Sequence, residues 1–144
     1  MSYATQTDLT NVGLPLAALA TLTPQQISAA LQGASDFADT FFRARYGAAS
    51  VPFVAWDTSV TEAVAKIAAL RLLRIRGYSP SSTADQQFQL SHDDALDWLN
   101  KVQRQQAHPL VTLAQAAVAP LAPLLISSSV VNVATGGSSR NRGW

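Results

Sequence analysis

Apolar side chains recur at helical spacing in three stretches of this chain, and the densest of them lies at its centre. From Thr58 to Gly77 (TSVTEAVAKIAALRLLRIRG), Val60, Ala63, Val64, Ile67, Ala68, Leu70, Leu72 and Ile75 cover well over half of a helical wheel. A surface helix needs only about 100° of apolar arc, so this one is expected to be contacted on more than one side. Thr58 or Ser59 offers a capping oxygen, Glu62 sits near the positive helix end, and Gly77 suits the stop. Arg71 and Arg74 fall inside the apolar arc. A guanidinium is rarely buried alone. Two readings follow: a snorkelling or ion-paired arginine within the fold, or one at a subunit boundary, with Asp36, Asp39, Asp94 and Asp97 as the carboxylates to meet it.

Thr23-Pro24 announces the second long helix, a hydroxyl cap followed by proline in the first turn. Along PQQISAALQGASDFADTFFRARY, one face carries Ile27, Ala30, Leu31, Ala34, Phe37, Ala38, Phe41 and Phe42. Asp36, Asp39 and Arg43 are expected opposite, with Asp39 and Arg43 at ion-pair spacing, and Gly47 as the stop. A third helix is expected after Ser91, over HDDALDWLNKVQRQQ, with Ala95, Trp98, Leu99 and Val102 inward and Asp97–Lys101 as a solvent pair. The predicted core joins Phe37, Phe41, Phe42, Ile67, Leu70, Trp98, Leu99 and Val102.

The intervening stretches break these periods. A short turn can start at Thr5 or Thr7, and GLPLAALATL reads as a connector interrupted by Gly13 and Pro15. AASVPFVAWD reads as a loop whose Phe53 and Trp56 plug the core. YSPSSTADQQFQLS reads as a polar surface connection with room for a helical turn around Ala84 to Phe88. From residue 110 the chain loses its charge until Arg140, and Pro120 and Pro123 forbid one long helix. SSSVVNVAT, with Val131 and Val133 in phase, suits a strand, and GGSSRNRGW ends the chain. The expected fold is mainly α: a small bundle of three principal helices over 1–109. An extended, apolar, Pro-containing C-terminal arm over 110–144 has room for a short β-strand. Val131, Val133, Arg140, Arg142 and Trp144 are the arm's candidate contacts with the same protein's other copies or with a different partner.

Composition narrows the function more than the fold. Of 144 residues, 48% are hydrophobic and only 13% charged, about half the usual share of charge, so apolar surface awaits a partner. Residues 1–42 hold three acids and no base, while 43–76 hold six bases against Asp57 and Glu62. The net charge of +1 includes no polybasic run of the sort that grips nucleic acid. Cysteine is absent, which removes disulfides and thiolate chemistry. MSYATQTDLT shows no secretory signal, and the prolines of the apolar stretch Pro109 to Ile126 argue against a membrane span.

Candidate chemistry is thin. His92-Asp93-Asp94 points three ways on a helix and reads as N-terminal capping, and His108 reads as a loop residue before Pro109. No phosphate loop, nucleophile elbow or zinc spacing occurs, so no cofactor, no metal and no catalytic residue is expected. Arg43, Arg45, Arg71, Arg74 and Arg76 read either as a basic lining or, more simply, as helix ends and ion-pair members.

Taken in order, several stretches resemble the small head–tail connector (adaptor, or head-completion) proteins of tailed bacteriophages, the Mu-like connector group. They are SYATQTDL, ASDFADTFFRARYG with its proline-bearing loop VPFV, VTEAVAKIAALRLLRIRG, DDALDWLNKVQRQQAHPL and the ending SSRNRGW. NVGLPLAALATLT departs from the acidic turn usual in that group. The resemblance implies a structural virion protein, not an enzyme, made in the host bacterial cytoplasm and placed at the head–tail interface. It would form a homo-oligomeric ring, commonly a dodecamer, at the phage neck. Its partners would be the portal protein and a tail-side neck or tail-terminator protein, with genomic DNA passing through the lumen unbound by sequence and no membrane involved. The competing reading is a free helical protein-binding module with a disordered tail.

Overall fold

The structure, a computed structural model, is described here for residues 1–114. Helices dominate it. Helix α1 (Gln6–Asn11) is followed by the short α2 (Leu16–Ala20) and the long α3 (Pro24–Tyr46). One turn of 3-10 helix (Ala48–Ser50) leads to strand β1 (Ala55–Trp56) and then to α4 (Thr58–Arg76), α5 (Thr83–Gln103) and strand β2 (Val111–Thr112). The mainly α class and the three long helices are as expected.

Local capping explains most of the helix starts. Thr5 and Asp8 form a capping box at α1, and Thr23 and Gln26 form another at α3, ahead of Pro24 in the first turn. The stops of α3 and α4 fall on Gly47 and Gly77, whose φ values of 91° and 124° suit glycine alone. Asp57, not Thr58 or Ser59, caps α4: its Oδ1 accepts the N–H groups of Ser59 and Val60. A carboxylate one position earlier satisfies two orphan donors and carries the charge that the helix end favours.

Helix α5 departs most from expectation. It starts at Thr83, capped by Ser82, so Ser91 and His92-Asp93-Asp94 lie within the helix and cap nothing. The buried Asp85 ties the start down, accepting the Ser79 N–H at 2.9 Å. The GLPLAALATL connector likewise contains α2, and the expected loop before α4 contains β1.

Helix α4 is the centre of the bundle, packed by α1, α3 and α5. Its buried residues are Val60, Ala63, Val64, Ala65, Ile67, Ala68, Ala69, Leu70, Leu72 and Leu73, while Ile75 in the last turn is 51% exposed. Small side chains on several faces let three helices approach one axis. Gly33 of α3 lies beside Arg71 of α4, and Gln89 of α5 meets Arg74, whereas the ends of α3 and α5 meet at Arg45 and Val102. Thus α3 and α5 run together and α4 runs against both. Phe42, Ile67, Leu70, Leu99 and Val102 are buried as expected, and Phe53 plugs the core from the loop. Phe37, Phe41 and Trp98 are only half-buried and flank that core.

The two strands pair antiparallel, Ala55 with Thr112 and Trp56 with Val111. Around them Asp57 Oδ2 accepts the Leu110 N–H at 2.9 Å, and Ala114 N–H donates to the Ser50 carbonyl at 3.1 Å. Residues 110–114, expected at the start of the arm, therefore belong to the first compact unit, Met1–Ala114. The second unit, Gln115–Trp144, with the expected strand in SSSVVNVAT, lies outside the described residues.

Candidate functional site

The side chains on the seam between α3 and α4 single out Arg71. Its guanidinium carbon lies 5.6 Å from the centroid of the Phe37 ring, and Phe37 meets Phe41 edge-on at 5.4 Å. Gly33, one turn before Phe37, leaves the space that the guanidinium takes: a Cβ there would stand 2.7 Å from Arg71 Nη1. Arg71 is half-buried, and among the described residues its guanidinium reaches no carboxylate within ion-pair distance. Arg74, one turn on, is exposed and donates to Gln89 Oε1 at 3.4 Å; Gln89 in turn donates to Asp93 Oδ1 at 3.0 Å. The ion pair expected of Arg71 and Arg74 is thus not formed within the described chain. An aromatic face and an amide take its place.

Three of the four carboxylates proposed as partners, all but Asp94, are otherwise engaged. Asp39, expected on the polar face of α3 with Arg43, is 5% exposed and accepts the Tyr3 hydroxyl at 2.5 Å. Asp36 accepts from Gln32 at 2.8 Å, and Asp97 pairs with Lys101 at 2.7 Å on the surface as expected.

Tyr3 was not singled out from the sequence, yet it ties three elements together. Its hydroxyl also accepts the Phe53 N–H at 3.1 Å, and its own N–H donates to Ser35 Oγ at 2.9 Å. Its carbonyl accepts from Trp56 Nε1 and Thr61 Oγ1 at 3.1 and 3.0 Å. Burial, and next the hydrogen bond to Asp39, push the Tyr3 phenol far above its ordinary pKa. Burial also raises the Asp39 carboxyl, against the opposing pull of the Tyr3 hydrogen bond and Arg43. The available signal was Ser35 and Asp39, two polar residues spaced i,i+4 beside the apolar stripe of α3.

The arginines do not form one lining. Gly33 and Arg71 lie side by side, so Arg43 sits about 15 Å further along the bundle at 1.5 Å per residue. Arg45 there acts as a clamp: it donates to the carbonyls of Val102 and Ala107, meets His108 Nδ1 at 2.7 Å and lies over the Tyr46 ring. Arg71, Arg74 and Arg76 belong to the opposite end.

A cleft of about 380 Å³ lies between α1 and α4, lined by Asp8, Asn11, Val12, Thr58, Thr61, Glu62, Ala65 and Lys66. Its charged groups are committed, Asp8 to the α1 cap and Glu62 to Lys66 at 2.7 Å. No group of three or more metal-binding side chains gathers among the described residues, and no described helix is long and apolar enough to cross a membrane. Val131, Val133, Arg140, Arg142 and Trp144, the candidate contacts of the arm, lie outside the described residues.

No curated protein matches the chain, and no solved structure does. The family model described as "Bacteriophage Mu, Gp36" matches residues 3–123, a span that includes the five helices and both strands of the described residues. That span is most of the chain, and so the protein belongs to the Bacteriophage Mu Gp36 family.

Proposed function

We propose that this protein is a structural subunit of the virion neck, forming a ring that joins the portal to the tail and lets DNA pass. The observation that carries the reading is the family match over residues 3–123, which makes the chain a phage Mu-like protein. The low charge, the exposed apolar side chains Leu16, Val54, Leu90 and Leu110, and a guanidinium without an acid among the described residues all support a protein built for assembly. In this reading the partners are other copies of the chain, the portal and a tail-side neck or terminator protein. Residues 115–144 supply contacts beyond the helical unit, with Val131, Val133, Arg140, Arg142 and Trp144 as their anchors. Genomic DNA passes without specific binding, since each neutralised phosphate would add affinity and impede sliding.

Native mass spectrometry of the full chain, with and without portal protein, tests this. A large closed ring, alone or on the portal, is the expected result. A monomer or dimer under both conditions overturns it in favour of a free helical binding module. Deleting residues 128–144 should leave a folded chain that no longer joins the portal; normal docking would remove the arm from the reading. Tight binding of duplex DNA at physiological salt would contradict the passive lumen.

A further inference from the structure

Among the described residues Arg71 is held in place without an acid, and their acidic side chains can be taken one by one. Asp39 is engaged by Tyr3, Asp36 by Gln32, Asp97 by Lys101, Asp93 by Gln89, and Glu62 by Lys66. Asp8 and Asp57 serve helix caps, and Asp85 takes the Ser79 N–H. Asp94 is exposed and has neither hydrogen bond nor ion pair among the described residues. It lines the groove between α4 and α5, beside Trp98 and the Glu62–Lys66 pair, whereas Arg71 lies on the seam between α3 and α4. Among the described residues, one chain thus presents an unmatched cation and an unmatched anion on two different helix seams.

We propose that Arg71 of one copy pairs with Asp94 of the next, and that this contact sets the register of the assembly. The inference rests on the ring reading above and names a contact that builds the ring. Two different patches meeting head to tail give a heterologous interface, the kind that closes into a ring when the rotation permits. The Phe37 face and the space at Gly33 hold the guanidinium beforehand, so little of its freedom remains to be lost on pairing. Its planar fork suits a carboxylate on two donors. Charge pairs at an interface fix orientation and exclude wrong docking as much as they add affinity.

The test uses the full chain, with portal if the portal is needed for assembly, and reads oligomer mass against concentration. Arg71→Glu and Asp94→Arg, each alone, should raise the subunit concentration for half-assembly by about tenfold or more. The Arg71→Glu/Asp94→Arg double variant should recover assembly, as should an equal mixture of the two single variants. Melting curves establish that each variant folds; if Arg71→Glu does not, Asp94→Arg, a change at an exposed side chain, still decides through its own loss of assembly. Wild-type rings with indifferent single variants, or a double variant that fails to recover, overturn the pair and leave the ring reading standing. Recovery of Arg71→Glu by Asp36→Arg instead of Asp94→Arg also overturns it. Variants that assemble normally but lose duplex DNA binding would assign Arg71 to phosphate and overturn the pair. A wild-type chain that forms no ring with or without portal overturns both readings.

Discussion

The hydroxyl of Tyr3 donates to the buried carboxylate of Asp39 at 2.5 Å, and through it the third residue of the chain is fastened to the middle of α3. The same oxygen accepts the Phe53 N–H, so one phenol serves a donor from the loop and an acceptor from the helix. Its ring lies 4.8 Å from that of Trp56 and 6.0 Å from that of Phe42. The N-terminal segment is therefore part of the core that α4 organises. It holds the loop against α3, and that loop carries β1 and the Asp57 cap of α4.

Tyr3→Phe removes only an oxygen but leaves a buried carboxylate and a buried N–H without their partner. Leaving such groups unpaired costs about 1–3 kcal/mol, more when one is charged, so a loss of about 2–4 kcal/mol is expected in denaturant unfolding. Adding Asp39→Leu should recover part of it, because the unmatched acceptor is gone. A Tyr3→Phe chain as stable as the wild type would show that the network contributes nothing net.

Two carboxylates should oppose each other in the pH dependence of stability. Burial raises Asp39 above its ordinary value, so the folded chain binds that proton more tightly than the unfolded chain does. Its effect is loss of stability as pH rises from about 4, the ordinary carboxylate value, through the raised folded value. For Asp57, burial pushes up but is outweighed by hydrogen bonds from Ser59, Leu110 and Val60, and the folded value is lowered. Its contribution is present above the ordinary value and lost as pH falls through the lowered one. Asp39→Asn should therefore flatten the decline on the neutral side, and Asp57→Asn the decline on the acid side. Midpoints of unfolding measured across that range check both signs, and unchanged slopes in either variant would refute its assignment.

What could be read from the sequence was what is decided locally. Thr23, Pro24 and Gln26 lie within one turn, and so did the information that starts α3. The start of α5 was misplaced because Thr83 to Leu90 is mostly polar and because Ser91 is locally as good a cap as Ser82. The choice between them is helped by Asp85 reaching back to Ser79, a contact no periodicity reveals. Strands β1 and β2 are two residues each and pair across α4 and α5, too short for an alternation to show. Asp39 had a plausible neighbour in Arg43, and only the return of Tyr3 to α3 settles its side. Of the candidate site, Arg71 and Arg74 were visible as charges within an apolar arc. That Phe37 and Gly33 of another helix hold Arg71 was not.

The half-burial of Trp98 changes the expected cost of truncating it. Phe42 is fully buried, and Phe42→Ala should cost about 3–5 kcal/mol, the range for a large aromatic lost from a packed core. Trp98 flanks the core and borders the α4–α5 groove, so its site stays open to water and leaves a smaller void. Trp98→Ala should cost about 1–2 kcal/mol, its partial burial scaled from the full transfer value. Equal losses in the two variants, measured by denaturant unfolding, would place Trp98 in the core after all.

Gly33→Ala separates the stability of the subunit from its assembly. Glycine within a helix is about 1 kcal/mol less favourable than alanine, so the exchange by itself favours α3. The new methyl would meet Arg71 Nη1, 2.7 Å away, which is the tip of a flexible side chain and not a backbone atom. The guanidinium should therefore move while the helices stay where they are. Leaving the Phe37 face forfeits about 0.5–1 kcal/mol of cation–π attraction, close to what the helix gains. The expected outcome is a melting temperature unchanged or slightly raised. Assembly should weaken, because the cation is no longer held where a neighbouring carboxylate would find it. Gly33→Ser, which adds a similar Cβ without the propensity gain of alanine, should weaken assembly in the same way. A loss of more than about 2 kcal/mol on thermal unfolding would mean that the backbone yields instead of the arginine. Full assembly by a stably folded Gly33→Ala chain would show that the position of Arg71 over Phe37 has no part in joining subunits.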